Sequence, residues 1–153
     1  MIYRTVAGLW IVLAFLGLID AGYITVKYYT GGDIACPITG GCSDVLTSTY
    51  SQIAGFPVSL YGLAFYLTVL IIAFLYLDTG KRLPVDKTSW IETAMPILGL
   101  TGFLFTLWFV YLQIFVIGAI CFYCMVSAIL STTIFGLAVT AFIKTRSSVL
   151  LTR

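Results

Sequence analysis

Residues 94–117, AMPILGLTGFLFTLWFVYLQIFVI, run without a charged side chain, and a helix that crosses a bilayer needs roughly 20 mostly apolar residues in succession. Reading outward, three more stretches meet the same requirement, at about 6–26, 58–77 and 120–143. Composition agrees: 61% of residues are hydrophobic and 9% charged, with a mean hydropathy of +1.09. Such a chain cannot present a water-soluble surface. The expected fold class is therefore an all-α membrane protein, one four-transmembrane-helix bundle occupying 1–153, with the lipid bilayer as its main partner. A formal net charge of +2 offers no basic surface for nucleic acid, and none is expected as a partner.

Between the spans lie one sizeable loop, 27–57, and a short polar one, 78–92. Gly118 and Ala119 supply a tight turn between the last two helices. Four spans put both termini on one side. That side carries Arg4, Lys81, Arg82, Lys87, Lys144, Arg146 and Arg153 against Lys27 alone on the other, and the positive-inside rule makes it cytoplasmic. The expected location is the cell (inner) membrane, multi-pass, with the 27–57 loop extracytoplasmic. The first apolar run is too long for a signal-peptide core and is read as a retained helix. Thr30, Gly31 and Gly32 break it, and Cys36-Pro37-Ile38-Thr39-Gly40-Gly41-Cys42 reads as a turn-rich segment. A short helix is expected next, capped by Ser43 or Asp44, with Val45, Leu46, Tyr50 and Ile53 on its apolar side. Gly55-Phe56-Pro57 then ends it and starts the second span.

The chemistry rests on four cysteines, for which three pairings are possible on paper. Cys36 and Cys42 lie in the outward loop, and Cys121-Phe122-Tyr123-Cys124 opens the fourth span just past the outward turn. All four thus sit near the face where disulfides persist. C-x-x-C on a helix brings both sulfurs to one face within bridging range. A helix N-terminus stabilises the thiolate that thiol exchange requires. The 36/42 pair sits in a Gly-rich segment that can swing, which suits a shuttle between an outside thiol and an embedded disulfide. Two bracing disulfides and inert buried thiols are the plainer readings. The lack of His and the dispersed cysteines argue against zinc, and no metal is expected.

Taken in order, Asp20-Ala21-Gly22-Tyr23-Ile24-Thr25 late in the first span, Cys36 and Cys42, Ser48, Gly55-Phe56-Pro57-Val58-Ser59-Leu60-Tyr61-Gly62 entering the second span, and Cys121-x-x-Cys124 make a specific set. With it the chain resembles, over nearly its whole length, the bacterial and archaeal homologues of vitamin K epoxide reductase, the VKOR family. The resemblance implies a bundle around a quinone of the menaquinone or ubiquinone type, capped by the short outer-loop helix. It implies a quinone-dependent thiol–disulfide oxidoreductase whose electrons run from a partner's thiols to Cys36 and Cys42, through Cys42 to Cys121, and from Cys124 to the quinone. Ser48 takes a polar supporting role beside the exchange, or else bonds only its own backbone. Many bacterial relatives carry a fused thioredoxin-like domain. None is read in this chain, so the expected partner is a separate thioredoxin-fold, DsbA-like protein on the outer face.

Where vertebrate members have an Asn and a Tyr that contact the vitamin, this chain has Val58 and Ala128, so plain quinone reduction is expected rather than epoxide reduction. A DsbB-like oxidase would carry its two cysteine pairs in the reverse order. A disulfide-braced membrane subunit is the non-enzymatic alternative. Asp20 is the only acid within a span and reads as a proton donor to the quinone, or as a group snorkelling or bonded to loop backbone. Phe65, Tyr66, Trp108, Tyr111, Phe115 and Phe122 are the candidate aromatic lining of the quinone pocket, although such residues also serve as packing or interface anchors.

Overall fold

The computed structural model describes residues 2–31, 34, 36, 40–82 and 89–151. The elements are α1 (Ile2–Thr30), α2 (Cys42–Thr47), a 3-10 turn (Thr49–Ser51), β1 (Gln52–Ile53), β2 (Phe56–Pro57), α3 (Val58–Arg82), α4 (Ser89–Tyr111), a π-helical turn (Leu112–Ile117) and α5 (Phe122–Leu151). Among the described residues, four helices are long and apolar enough to cross a membrane, over Arg4–Thr30, Val58–Asp78, Thr93–Ile117 and Phe122–Ser147. The chain is a multi-pass, all-α membrane bundle.

The expected spans are all present, but the helices outrun them. α3 continues to Arg82 and α4 begins at Ser89, so the connection is shorter than 78–92. Hydropathy marks where lipid ends, whereas backbone hydrogen bonding carries a helix on into water. Gly32, Pro37-Ile38-Thr39, Lys87 and Arg153 lie outside the described residues.

Small residues decide which helices touch. In lipid there is no hydrophobic gain from pairing helices, so close backbone approach and interhelical hydrogen bonds do the work. On α1, Ala7, Trp10, Ala14 and Ala21, spaced by three, four and seven residues, fall on one helix face and are buried with Tyr66, Val69, Ala73 and Tyr76 of α3. Gly17 falls on the same stripe, and a Cβ there would collide with the Tyr66 ring. α4 packs on α5, tightly at Gly99, where a Cβ would stand 3.0 Å from the Phe135 Cα. Polar side chains bridge the helices. Thr25 bonds Ser59 at 2.9 Å, Thr106 bonds Ser131 at 2.6 Å, and the Tyr66 hydroxyl meets both the Ser127 carbonyl at 3.0 Å and its hydroxyl at 2.7 Å. The remaining surface of the spans is large and apolar, including Phe15, Ile71, Phe74, Leu107 and Ile129, as a lipid-facing surface must be.

At the cysteine end the chain folds back over the bundle. Gly41, not Ser43 or Asp44, holds the N-cap position of α2, and no side chain caps it; Cys42 is the first helical residue, which puts both expected caps inside the helix. After the 3-10 turn comes a two-stranded hairpin that the sequence reading did not foresee. Gln52 pairs with Pro57 and Ile53 with Phe56, and the two-residue turn has positive φ at both Ala54 (52°) and Gly55 (83°), the geometry that matches strand twist. Tyr61 of α3 donates to the Ile53 carbonyl at 3.0 Å, and Gln52 bonds the Tyr28 hydroxyl of α1. Both bonds pin the hairpin to the bundle rim.

Candidate redox site

The turn between α4 and α5 is organised by one residue. Gln113 stands in the π-helical turn, where the wider winding frees its carbonyl to accept the N–H groups of Gly118 and, at 3.1 Å, Ala119. Gly118 adopts φ 71° as the left-handed terminator, a conformation that costs any residue with a Cβ. The Gln113 side chain then reaches on to accept the Cys121 N–H on Oε1 at 2.8 Å. As a result residues 118–121 form an irregular turn and α5 starts at Phe122, two residues later than the apolar run suggests. Cys121 sits at the cap position, with its carbonyl accepting the first helical bond from Met125 at 3.1 Å.

That placement tunes the thiol. Cys121 lies just ahead of the fourth span, and its pKa is lowered to about 7. The main cause is the Cys124 thiol, which hydrogen-bonds to the Cys121 sulfur. Burial opposes this, while the Cys124 and Tyr123 N–H groups add to it. These are the free donors of a helix start, which favour an anion.

α2 is pressed directly onto this turn. A Cβ on Gly41 would stand 3.0 Å from both N and O of Ile120 and 3.1 Å from the Ala119 Cβ, so only glycine lets the two backbones approach this closely. Cys42 and Cys121 are both fully buried, and with Val45 they form one apolar cluster against which Cys36, Cys124 and Phe122 pack. Cys36 and Cys42 are joined in a disulfide with Cα atoms 5.8 Å apart. Cys121 and Cys124 are free thiols, the first buried and the second partly exposed.

Beneath the cluster lies a cavity of about 360 Å³ lined by α1, α3, α4 and α5 and, on the loop side, by α2, the 3-10 turn and Pro57. Cys124 opens onto it. Its wall is apolar with a few polar groups, among them Asp20, Ser48, Ser127 and Gln113, a makeup typical of a small-molecule site. Asp20 Oδ2 is buried without a hydrogen-bond partner, which does not bear out the bond to loop backbone for that oxygen. The Ser48 hydroxyl donates to the Val45 carbonyl at 2.7 Å, the local bond expected of such a residue, while Ser48 also lines the cavity.

Of the six candidate aromatic residues, Phe65 and Tyr66 line the cavity; the other four do not. Trp108 and Tyr111 of α4 and Phe115 of the π-helical turn share one outer face, with ring centroids 6.1 and 5.3 Å apart along the row, and are half or more exposed toward lipid. Phe122 packs on the cysteine cluster instead. The reason is helical phase: Gly102, Phe105, Thr106, Phe109 and Gln113 face inward, and a helix that is apolar all round gives no sign of which side that is. A signal was present in its polar residues. Thr106, Gln113, Ser127 and Ser131 all point at the cavity, because a polar side chain in a span turns from lipid.

These features define a polytopic helical membrane protein that carries paired cysteines over an apolar cavity. Residues 9–139 match the vitamin K epoxide reductase family, and the chain belongs to that family. It is 32% identical over 126 residues to the thiol-disulfide oxidoreductase LTO1 of Arabidopsis thaliana; the match takes in 80% of this chain and 33% of the relative, so the chain spans about a third of that protein's length.

Proposed function

We propose that the chain is a membrane thiol–disulfide oxidoreductase that reoxidises the dithiol of a separate extracytoplasmic thioredoxin-fold protein and passes two electrons to a quinone. The carrying observation is that Cys42 and Cys121, 79 positions apart in the chain by subtraction, are buried in one cluster with Cys36 and Cys124 beside them. The excess of Lys and Arg among the residues assigned to the opposite side supports an outward cysteine end with both termini cytoplasmic.

Each step is a balanced exchange. A partner thiolate attacks the Cys36–Cys42 disulfide, and its second thiol resolves the mixed disulfide, leaving Cys36 and Cys42 reduced and the partner oxidised. Cys42 then attacks Cys121 of a Cys121–Cys124 disulfide and displaces the Cys124 thiolate; Cys36 attacks Cys42 and releases Cys121. The products are a Cys36–Cys42 bridge and two thiols at 121 and 124, the state seen in the structure. A quinone bound in the cavity supplies a two-electron, two-proton acceptor for the Cys124 side of the pair. The apolar wall and the cavity's size suit such a ring, Asp20 stands in the same wall to hold a proton, and Ser48 keeps the α2 end in place over the exchange. Val58 and Ala128, both lining the cavity, give no polar contact for an epoxide oxygen.

The test is turnover in lipid nanodiscs with a reduced thioredoxin-fold protein and decylubiquinone. Quinone absorbance is expected to fall as partner thiols disappear, and Cys124→Ala to stop both. Undiminished quinone consumption by that variant would refute the route.

A further inference from the structure

The polar groups around the cavity are mostly engaged with one another. Ser48 is bonded to Val45, Tyr66 to Ser127, and Thr106 to Ser131. Gln113 is one of two exceptions, the other being Asp20 Oδ2. A backbone N–H can only donate, so the amide oxygen must be the atom that faces Cys121, and the NH₂ group is left on the other side. That Nε2 has no hydrogen-bond partner, although the residue is 1% exposed and lines the cavity together with Cys124. An unpaired amide donor in such surroundings is costly and calls for an explanation. The π-helical turn that carries it is a second irregularity at the same place, of a kind that re-aims side chains at functional sites.

We propose that Gln113 is the residue that orients the electron acceptor: Nε2 donates to a ring carbonyl oxygen of a quinone in the cavity while Oε1 keeps hold of the Cys121 N–H. The inference rests on the quinone reading above and goes further, to the group that recognises the acceptor. One amide then connects the acceptor's carbonyl, the backbone of Cys121 and, through its own carbonyl, the Gly118 turn. Binding in the cavity therefore stiffens the segment that presents Cys121 to Cys42. Compounds of similar shape without a carbonyl forfeit this bond.

The test uses decylubiquinone labelled with carbon-13 at its ring carbonyls, bound to the protein in nanodiscs and read by isotope-edited infrared spectroscopy alongside equilibrium binding. Wild type is expected to show one carbonyl band at lower frequency than in protein-free nanodiscs. Gln113→Glu, measured at alkaline pH where it is ionised, retains an acceptor for the Cys121 N–H but offers the cavity no donor. The lowered band should vanish in it and Kd should rise about tenfold. Gln113→Leu should lose the band as well. An unshifted carbonyl in bound wild type, or an unchanged band and Kd in Gln113→Glu, overturns the role of Gln113 and leaves the quinone reading standing; the wild-type spectrum decides this even where a variant fails to fold. Failure of wild type to bind the quinone at all removes both.

Discussion

Gly41→Ala is the most informative single change. The added methyl would sit 3.0 Å from Ile120 N and O and 3.1 Å from the Ala119 Cβ, while carbon contacts are comfortable from roughly 3.5 Å. Two of those three neighbours are backbone atoms in a turn pinned by Gln113, so the start of α2 must retreat by about 0.5 Å. Overpacking of this kind costs about 1–3 kcal/mol. Its larger effect falls on the reaction. A misplacement of about 1 Å costs about 100-fold in rate, so half of that should slow transfer between Cys42 and Cys121 about tenfold. The assay reduces the outer pair with a thiol pulse, quenches with acid at intervals and maps alkylated cysteines by mass spectrometry. Gly40→Ala is the control: φ there is 65° with nothing within 4 Å of a Cβ, so it strains the loop by about 1–2 kcal/mol without pushing α2 from the turn. Wild-type transfer in Gly41→Ala, or equal slowing in both variants, would refute the reasoning.

Two further outcomes follow from the geometry. With the Cys36–Cys42 bridge intact, ultraviolet thiolate absorbance compared with Cys121→Ser should titrate near pH 7, because Cys121 is held at about 7. Below that pH the thiolate fraction falls about tenfold per unit; Cys124→Ala removes the main cause and should move the midpoint upward, so an unmoved midpoint contradicts the assignment. Gly17→Ala drives a methyl into the Tyr66 ring, which its bonds to Ser127 keep from swinging aside. A loss of about 1–3 kcal/mol is expected, read as a lower thermal midpoint in nanodiscs, and an unchanged midpoint would mean that the α1–α3 contact is looser than described.

The four spans, the short outer helix and the four cysteines were legible because lipid imposes length and polarity rules that a sequence displays directly. The direction each helix faces was not. Trp108, Tyr111 and Phe115 are as aromatic as Phe65, Phe105 and Phe109, and in a segment apolar on every side it is polar residues such as Thr106 and Gln113 that betray the inner face. Gln113 was overlooked because a lone amide in a span carries no motif; its importance comes from a π-helical turn that depends on the Gly118 terminator and on the position of Cys121. The hairpin at 52–57 was hidden for a similar reason, since its turn places Ala54 at a positive φ that alanine rarely adopts and so gave no recognisable turn signal.

Direct sulfur exchange between the loop and the bundle is tested most directly by removing the resolving thiols. In Cys36→Ser/Cys124→Ser protein, mild oxidation followed by proteolysis and mass mapping is expected to recover a Cys42–Cys121 disulfide as the main product. Recovery of both cysteines as free thiols in folded protein would contradict it.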